Sequence, residues 1–306
     1  MNTPRIVFAG TPDFALASLR ALVEGGHSVV AVVTQPDRPA GRGRRLTASP
    51  VKQYAEERGL TVLQPETLKD EGAARELAAL QPDVMIVAAY GLILPQNVLD
   101  IPTFGCLNVH ASALPRWRGA APIQAAILAG DASTGVSLMQ MTAGLDCGPV
   151  FSEKTVEIGQ DESAGELHDR LAVLGGELLL QDLPRILEGG LRPVEQDESL
   201  ANYAGKIQKL DAELDWGLPA AELQRRIRAY DPAPGAYFFV NDDVRVKVWA
   251  ASVDDKINEH PGSFVQYDRN GIVVACGRGG LRLEILQLPG KRRTSFHEFV
   301  TQLELD

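Results

Sequence analysis

Two apolar runs constrain this chain more than anything else in it: Ser-Val-Val-Ala-Val-Val-Thr at residues 28–34 and Asp-Val-Met-Ile-Val-Ala-Ala-Tyr at residues 83–90. Neither alternates apolar with polar, so each predicts a strand buried on both faces, the pattern of a parallel sheet covered by helices. The residues before the first run supply one such helix. Arg5 to Ala9 reads as a strand, and Gly10-Thr-Pro-Asp turns it into a helix with Thr11 as N-cap and Pro12 at the first helical position. That helix carries Phe14 to Val23 and stops at Gly25-Gly26, so the chain begins β-α-β. The alternation continues, with helices expected over 51–58, 68–80, 122–129 and 164–188 and strands near 61–63, at 134–141 and at 149–158. A dinucleotide enzyme could begin this way. Yet Gly10 stands alone, without Gly-x-Gly-x-x-Gly, and no acidic residue ends the second strand, which argues against a nicotinamide dehydrogenase.

At 306 residues the chain is long for one hydrophobic core, and its size favours two domains. Leu191 to Gly205 carries Pro193, several acids and no apolar period, so the expected division is 1–189, a linker at 190–205 and a second domain at 206–306. In that second part short alternating strands are expected at 236–240, 244–252, 262–267, 271–276 and 280–288, with turn signals at Asn241-Asp-Asp and Arg269-Asn-Gly. Five short strands in so small a domain suggest a barrel of the OB type. Lys206, Lys209, Arg225, Arg226, Arg228, Lys247 and Lys291-Arg-Arg make this half locally basic, although the whole chain has a formal net charge of −10. Such a charge disfavours indiscriminate nucleic-acid binding and leaves a local basic patch open.

No apolar run approaches the roughly 20 residues that cross a bilayer, and no signal-peptide pattern precedes the first strand. A cytoplasmic monomer without a membrane partner is expected. Cys106, Cys147 and Cys276 form neither a disulfide framework nor a Cys-x-x-Cys pair, so no metal is expected.

The chemistry concentrates between Gly105 and Gly119. If Cys106 to His110 is a strand, period two puts Asn108 and His110 on one face and Val109 on the other. Pro115 and Gly119 then break the chain into a loop, as at the strand ends where sheets deliver residues to a cleft. Asp146 sits in the Thr142-Ala-Gly-Leu-Asp-Cys-Gly turn, either as a turn residue or as a carboxylate delivered beside the Asn108 strand. An amide, an imidazole and a carboxylate suit acyl transfer to an external nucleophile: two stabilise an oxyanion and the third helps remove a proton. The bland reading of His110 is a hydrogen-bonded core histidine. Ser112 lies in a Pro-containing loop, away from any strand-turn-helix elbow, so covalent hydrolase chemistry lacks its nucleophile. Gly91, at the end of the second apolar run, lets backbone approach a ligand, and Leu92 to Leu94 either fill the core or line a ring pocket. The loop of residues 35–50 carries Arg38, Arg42, Arg44 and Arg45 among glycines and prolines. It reads either as a solvated loop or as an arm for phosphates.

Asn108-Val-His110, Ser112-Ala-Leu-Pro-Arg-Trp-Arg-Gly-Ala-Ala-Pro-Ile-Gln and Met141-Thr-Ala-Gly-Leu-Asp146-Cys-Gly together resemble the formyltransferases that use 10-formyltetrahydrofolate. Phe8-Ala-Gly-Thr-Pro-Asp-Phe, Thr34-Gln-Pro-Asp-Arg-Pro-Ala-Gly-Arg-Gly and Arg228-Ala-Tyr-Asp-Pro extend the resemblance, toward the branch that formylates methionyl initiator tRNA, over nearly the whole chain. The resemblance implies a doubly wound, mostly parallel α/β domain joined to a C-terminal OB-like barrel, with Asn108, His110 and Asp146 as the catalytic trio. It also implies that Ser112, Ala113, Leu114 and Pro115 contact the folate donor and that the 35–50 loop reaches the acceptor end of the tRNA. With Gly91 and Leu92 added to the donor site, and Lys206 and Lys209 to the tRNA site, these are the expected binding residues. A formyltransferase acting on the amine of a sugar nucleotide is the alternative that keeps the same central motif.

Overall fold

The computed structural model describes residues 3–40, 45–240, 244–268 and 271–303. Two compact units emerge: residues 1–122, 134–156 and 168–204 make the first, and residues 123–133, 157–167 and 205–306 the second. Up to residue 204 the elements in chain order are β1 (Arg5–Gly10), α1 (Asp13–Glu24), β2 (Ser28–Val33), β3 (Arg38–Ala40), β4 (Arg45–Thr47), α2 (Pro50–Glu57), β5 (Val62–Leu63) and α3 (Glu71–Ala79). There follow β6 (Val84–Ala88), α4 (Gln96–Leu99), β7 (Cys106–His110), β8 (Arg118–Gly119), α5 (Pro122–Ala129), β9 (Ser133–Gln140), β10 (Val150–Glu157), α6 (Ala164–Leu187) and β11 (Tyr203–Ala204).

Seven strands form one sheet in the order β10-β9-β7-β6-β1-β2-β5. The pairs from β7 through β6, β1 and β2 to β5 are parallel, while β9 runs antiparallel to β7. Every residue of β6 and β7 is buried, which is why β6 is apolar throughout, while β7 carries two buried polar residues, Asn108 and His110. Each fully buried Val, Leu or Ile here contributes about 1.5–3 kcal/mol of transfer free energy. Helix α1 adds Phe14, Ala15, Ser18, Leu19 and Leu22, buried at helical spacing. On the far side of β7, α6 comes so near that a Cβ built on Gly175 would lie 2.7 Å from Val109 Cγ1. Both the parallel sheet and its helical cover agree with the α/β expectation.

Local expectations change at several points. Thr11 does not cap α1: Pro12, in extended backbone, is the N-cap, and Ala15 and Leu16 donate their N–H groups to its carbonyl. The Thr11 hydroxyl instead donates to the Tyr90 carbonyl at 3.1 Å and accepts the Gln35 N–H at 3.4 Å. Helix α3 starts at Glu71 rather than near Leu68, because the Asp70 carboxylate accepts the Ala73 N–H at 2.7 Å and sets the cap. Within the described part of the arginine loop, Arg38 to Ala40 pairs antiparallel with Arg45 to Thr47. Residues 191–204, expected within a linker, hydrogen-bond inside the first unit: Val194 bridges Val150 and β11 pairs with β8.

The second unit contains α7 (Ala220–Ala229), β12 (Tyr237–Val240), β13 (Val244–Asp254), β14 (Phe264–Asp268), β15 (Gly271–Ala275), β16 (Gly280–Gln287), β17 (Thr294–Ser295) and α8 (Phe296–Leu303). Its sheet is antiparallel in the order β12-β13-β16-β15-β14, with β17 also on β16. Several cations that make this half look basic in sequence have partners within it. Arg226 pairs with Glu222 at 3.0 Å, Arg293 with Asp231 at 2.7 Å, and Lys247 donates to the Pro234 carbonyl at 2.7 Å. Arg225 donates to the Leu128 carbonyl at 3.1 Å, and Arg228 to the Glu162 carbonyl at 3.1 Å.

Candidate active site

β7 ends about where its parallel neighbour β6 does, while β9 continues past it. Its period-two pleat turns Asn108 and His110 to one side and Val109 to the other, and the two polar residues are 8% and 6% exposed. β9 lies antiparallel alongside, with Met139 opposite Asn108 and Ser137 opposite His110, so β9 ends beside the start of β7, and the turn that follows brings Asp146 back to the side chains of Asn108 and His110. That turn carries Asp146 in left-handed backbone at φ +50°. One carboxylate oxygen, Oδ1, accepts from Asn108 Nδ2 at 3.4 Å, and the other, Oδ2, lies 3.7 Å from His110 Nδ1. Oδ2 also accepts the Gly119 N–H at 2.9 Å. Amide, imidazole and carboxylate therefore meet.

The other imidazole nitrogen settles the tautomer. His110 Nε2 lies 3.1 Å from the Trp117 carbonyl, an acceptor only, so Nε2 carries the proton. Nδ1 then holds the free lone pair and faces a carboxylate. No thiol competes as a nucleophile at this strand: burial pushes the Cys106 thiol up to about 12.

The loop after β7 is held as firmly as the strand. Ser137 of β9 accepts the Leu114 N–H at 3.0 Å and donates to the Ser112 carbonyl at 2.7 Å. The Ser112 hydroxyl donates to the Arg116 carbonyl at 2.6 Å, which makes it a brace of the loop. Ser112 and Leu114 are buried, while Ala113 and Pro115 are half-buried, and the Leu114–Pro115 peptide is cis. At the end of β6, Gly91 has φ +83° and a Cβ there would collide with the Gln35 side chain. Gln35 Nε2 donates to the Tyr90 carbonyl at 2.9 Å and so fastens this strand end to the root of the arginine hairpin. Leu92 packs at the edge of the core around β6 and Ile93 beside it is exposed.

Of the expected phosphate-binding residues, Arg38 is exposed on β3 and Arg45 begins β4, while Arg42 and Arg44 lie outside the described residues. The root of the hairpin is ordered by charge. Lys52 donates to Asp37 at 2.7 Å and to Gln64 at 2.9 Å, and the Lys52 hydrogen bond holds the Asp37 carboxyl below the usual range. Lys206 and Lys209 are exposed in the second unit. Two cavities of about 480 and about 550 Å³, around Trp249 and Trp216, also lie in that unit and contain none of Asn108, His110 and Asp146. Among the described residues no group of three His, Cys, Asp or Glu could hold a metal ion, and no helix is long and apolar enough to cross a membrane.

Sequence reasoning missed the residues behind these. Arg118, 0% exposed, reaches Glu198 with two nitrogens, and the Glu198 hydrogen bond raises its guanidinium further above the usual value. Gln196 and Asn202 bond to the Asp146 turn and to the loop after β7. Nothing local in sequence announces contacts across some 50 to 85 residues.

The profile described as formyl transferase matches residues 4–183, and that described as formyl transferase, C-terminal domain, matches residues 206–304. A methionyl-tRNA formyltransferase of Marinobacter nauticus is 51% identical over 297 residues, covering 97% of this chain and 95% of its own. One from Methylococcus capsulatus is 52% identical, covering 97% and 96%. Among solved structures, the sugar 3N-formyl transferase WlaRD has a TM-score of 0.69 at 15% identity, covering 95% of this chain and 100% of that one, a likeness of fold.

Proposed function

The chain belongs to the formyl transferase family, among the methionyl-tRNA formyltransferases, and on that premise we propose how its residues carry out the transfer. The enzyme moves the formyl group of 10-formyltetrahydrofolate to the α-amine of methionyl initiator tRNA, giving formylmethionyl-tRNA for translation initiation. The observation that carries the mechanism is the meeting of Asn108, His110 and Asp146 at one strand end, across 3.4 and 3.7 Å.

Asn108 stabilises the negative charge that develops on the formyl oxygen. Its Nδ2 gives one N–H to Asp146 and keeps the second for substrate, and a preorganised donor of this kind is worth about 2.7–4 kcal/mol of barrier. His110, with Nε2–H committed to the Trp117 carbonyl, presents Nδ1 as the basic nitrogen. Asp146 lies 3.7 Å from Nδ1, so the pair is placed to accept the proton that leaves the amine as the new C–N bond forms. The resulting imidazolium adds positive potential beside the oxyanion. The folate supplies the formyl carbon as an amide of a weakly basic nitrogen, and that nitrogen takes the proton as it departs.

Gly91, Leu92, Ser112, Ala113, Leu114 and Pro115 hold the folate in this reading; the exposed Ile93, beside Leu92, and the exposed Leu145, beside Asp146, offer apolar surface for a flat ring. Arg38, Arg42, Arg44 and Arg45, with Lys206 and Lys209, take the tRNA phosphates. The working enzyme is a cytoplasmic monomer in this reading. A sugar-nucleotide acceptor is disfavoured, because that likeness stands at 15% identity against 51% for the tRNA enzymes.

Transfer of labelled formyl from 10-formyltetrahydrofolate to methionyl initiator tRNA, followed in single turnovers, tests the trio. His110→Ala and Asp146→Asn are expected to slow transfer by about 100-fold or more while tRNA affinity holds. Near-normal turnover in both variants overturns the assignment.

A further inference from the structure

The Asp146 turn is mostly exposed and has no helix or strand of its own, yet it must hold a carboxylate to within ångströms of His110. What holds it is a side chain 50 residues further on. Gln196 Nε2 donates to the Asp146 carbonyl at 2.9 Å and to the Gly148 carbonyl at 2.7 Å, so both of its N–H groups are spent on the turn. Gln196 Oε1 accepts from Arg118 Nε at 3.0 Å, which fixes the amide, because a flipped amide would set donor against donor and acceptor against acceptor. Arg118 is locked in turn by a bidentate pair with Glu198, at 3.0 and 2.7 Å.

The same segment grips the opposite wall. Asn202 accepts the Trp117 N–H on its side chain at 2.6 Å and the Arg118 N–H on its carbonyl at 3.0 Å, while the Ala204 carbonyl accepts the Ala120 N–H at 2.9 Å. That wall contributes the Trp117 carbonyl, which orients His110, and the Gly119 N–H, which binds Asp146. Residues 196–204 thus set the distance between the two groups that share the proton. We propose that Gln196, held by Arg118 and Glu198, is a positioning residue of the transfer reaction, and that it acts by fixing Asp146 against His110. The proposal rests on the roles given above to Asp146 and His110.

Gln196→Met keeps the length of the side chain and removes every hydrogen bond. It is expected to lower kcat by about 10- to 100-fold, the usual scale for a lost orienting partner, with KM for tRNA and for 10-formyltetrahydrofolate unchanged. A mere support of the fold would give the same loss on any background. The deciding measurement is therefore the cycle with Asp146→Asn: if Gln196 works through the carboxylate, its substitution costs little more once the carboxylate is gone. A full additional loss in Asp146→Asn, a rise in either KM, or an unchanged kcat each overturns the proposal. If Asp146→Asn alone turns over normally, it is the assignment of the trio that fails instead. Should Gln196→Met fold poorly, Glu198→Gln replaces it: the Glu198 side chain is 70% exposed, so its loss spares the core while loosening Arg118. A several-fold lower kcat that disappears in the Asp146→Asn background supports the proposal, and an unchanged kcat refutes it.

Discussion

Gly175→Ala separates two opposed effects at one carbon. Alanine is the better helix former, worth about 0.5–1 kcal/mol in a helix interior, and its buried methyl adds about 0.8 kcal/mol. Against these stands space. The new Cβ would lie 2.7 Å from Val109 Cγ1 and 3.4 Å from Val136 Cγ1, and the first is about 1 Å inside carbon–carbon contact. Val109 is β-branched, 2% exposed and stiff at χ1, so it cannot turn aside. Overpacking of this kind costs up to about 3 kcal/mol, which outweighs the gains and leaves a net loss of about 1 kcal/mol. The strain falls on the strand residue between Asn108 and His110, so turnover should fall with stability. Hydrogen exchange of the β7 amides, read by mass spectrometry on the intact chain, measures the loss where it occurs. Val109→Ala removes the colliding methyl, so the double variant should be no less stable than Val109→Ala alone. If Gly175→Ala slows exchange in β7, propensity has won and the close-contact argument is wrong.

Two further outcomes follow from polar contacts. Gln64→Leu changes no charge but removes three bonds at the root of the arginine hairpin, to the Gln35 carbonyl at 2.9 Å, to Asp37 at 2.8 Å and from Lys52 at 2.9 Å. tRNA affinity should fall while the salt dependence of binding stays as it was, whereas Arg38→Ala should flatten that dependence; a changed slope in Gln64→Leu would contradict the positioning argument. His27 is lowered below its ordinary value by burial, so the folded chain keeps it neutral where the unfolded chain already binds a proton. Its penalty appears as pH falls below the unfolded value near 6.5 and through the lowered folded one. His27→Gln should therefore lose less melting temperature than the parent between neutral and mildly acid pH, and equal losses would refute the sign.

The sheet was legible because burial on both faces leaves a local mark. The runs at 28–34 and 83–90 needed no partner to be read as central strands, and period two alone put Asn108 and His110 on one face of β7. Asp146 was reachable by one more step, since the strand before it was expected beside β7. Thr11 shows where that reasoning stops. A hydroxyl before Pro12 suits a helix cap, but the Tyr90 carbonyl, 79 residues away, takes its proton first. Residues 191–204 show the same limit on a larger scale. They carry no apolar period because their order comes from side-chain amides and an arginine pair that bind distant backbone, and such bonds leave no periodic trace. A polar stretch of this kind looks the same in sequence whether it is a tether or the clamp on the turn that carries Asp146. Only the Arg118 side chain distinguishes them, because a buried guanidinium demands acceptors, and this stretch provides them in Glu198, Gln196 and Tyr203.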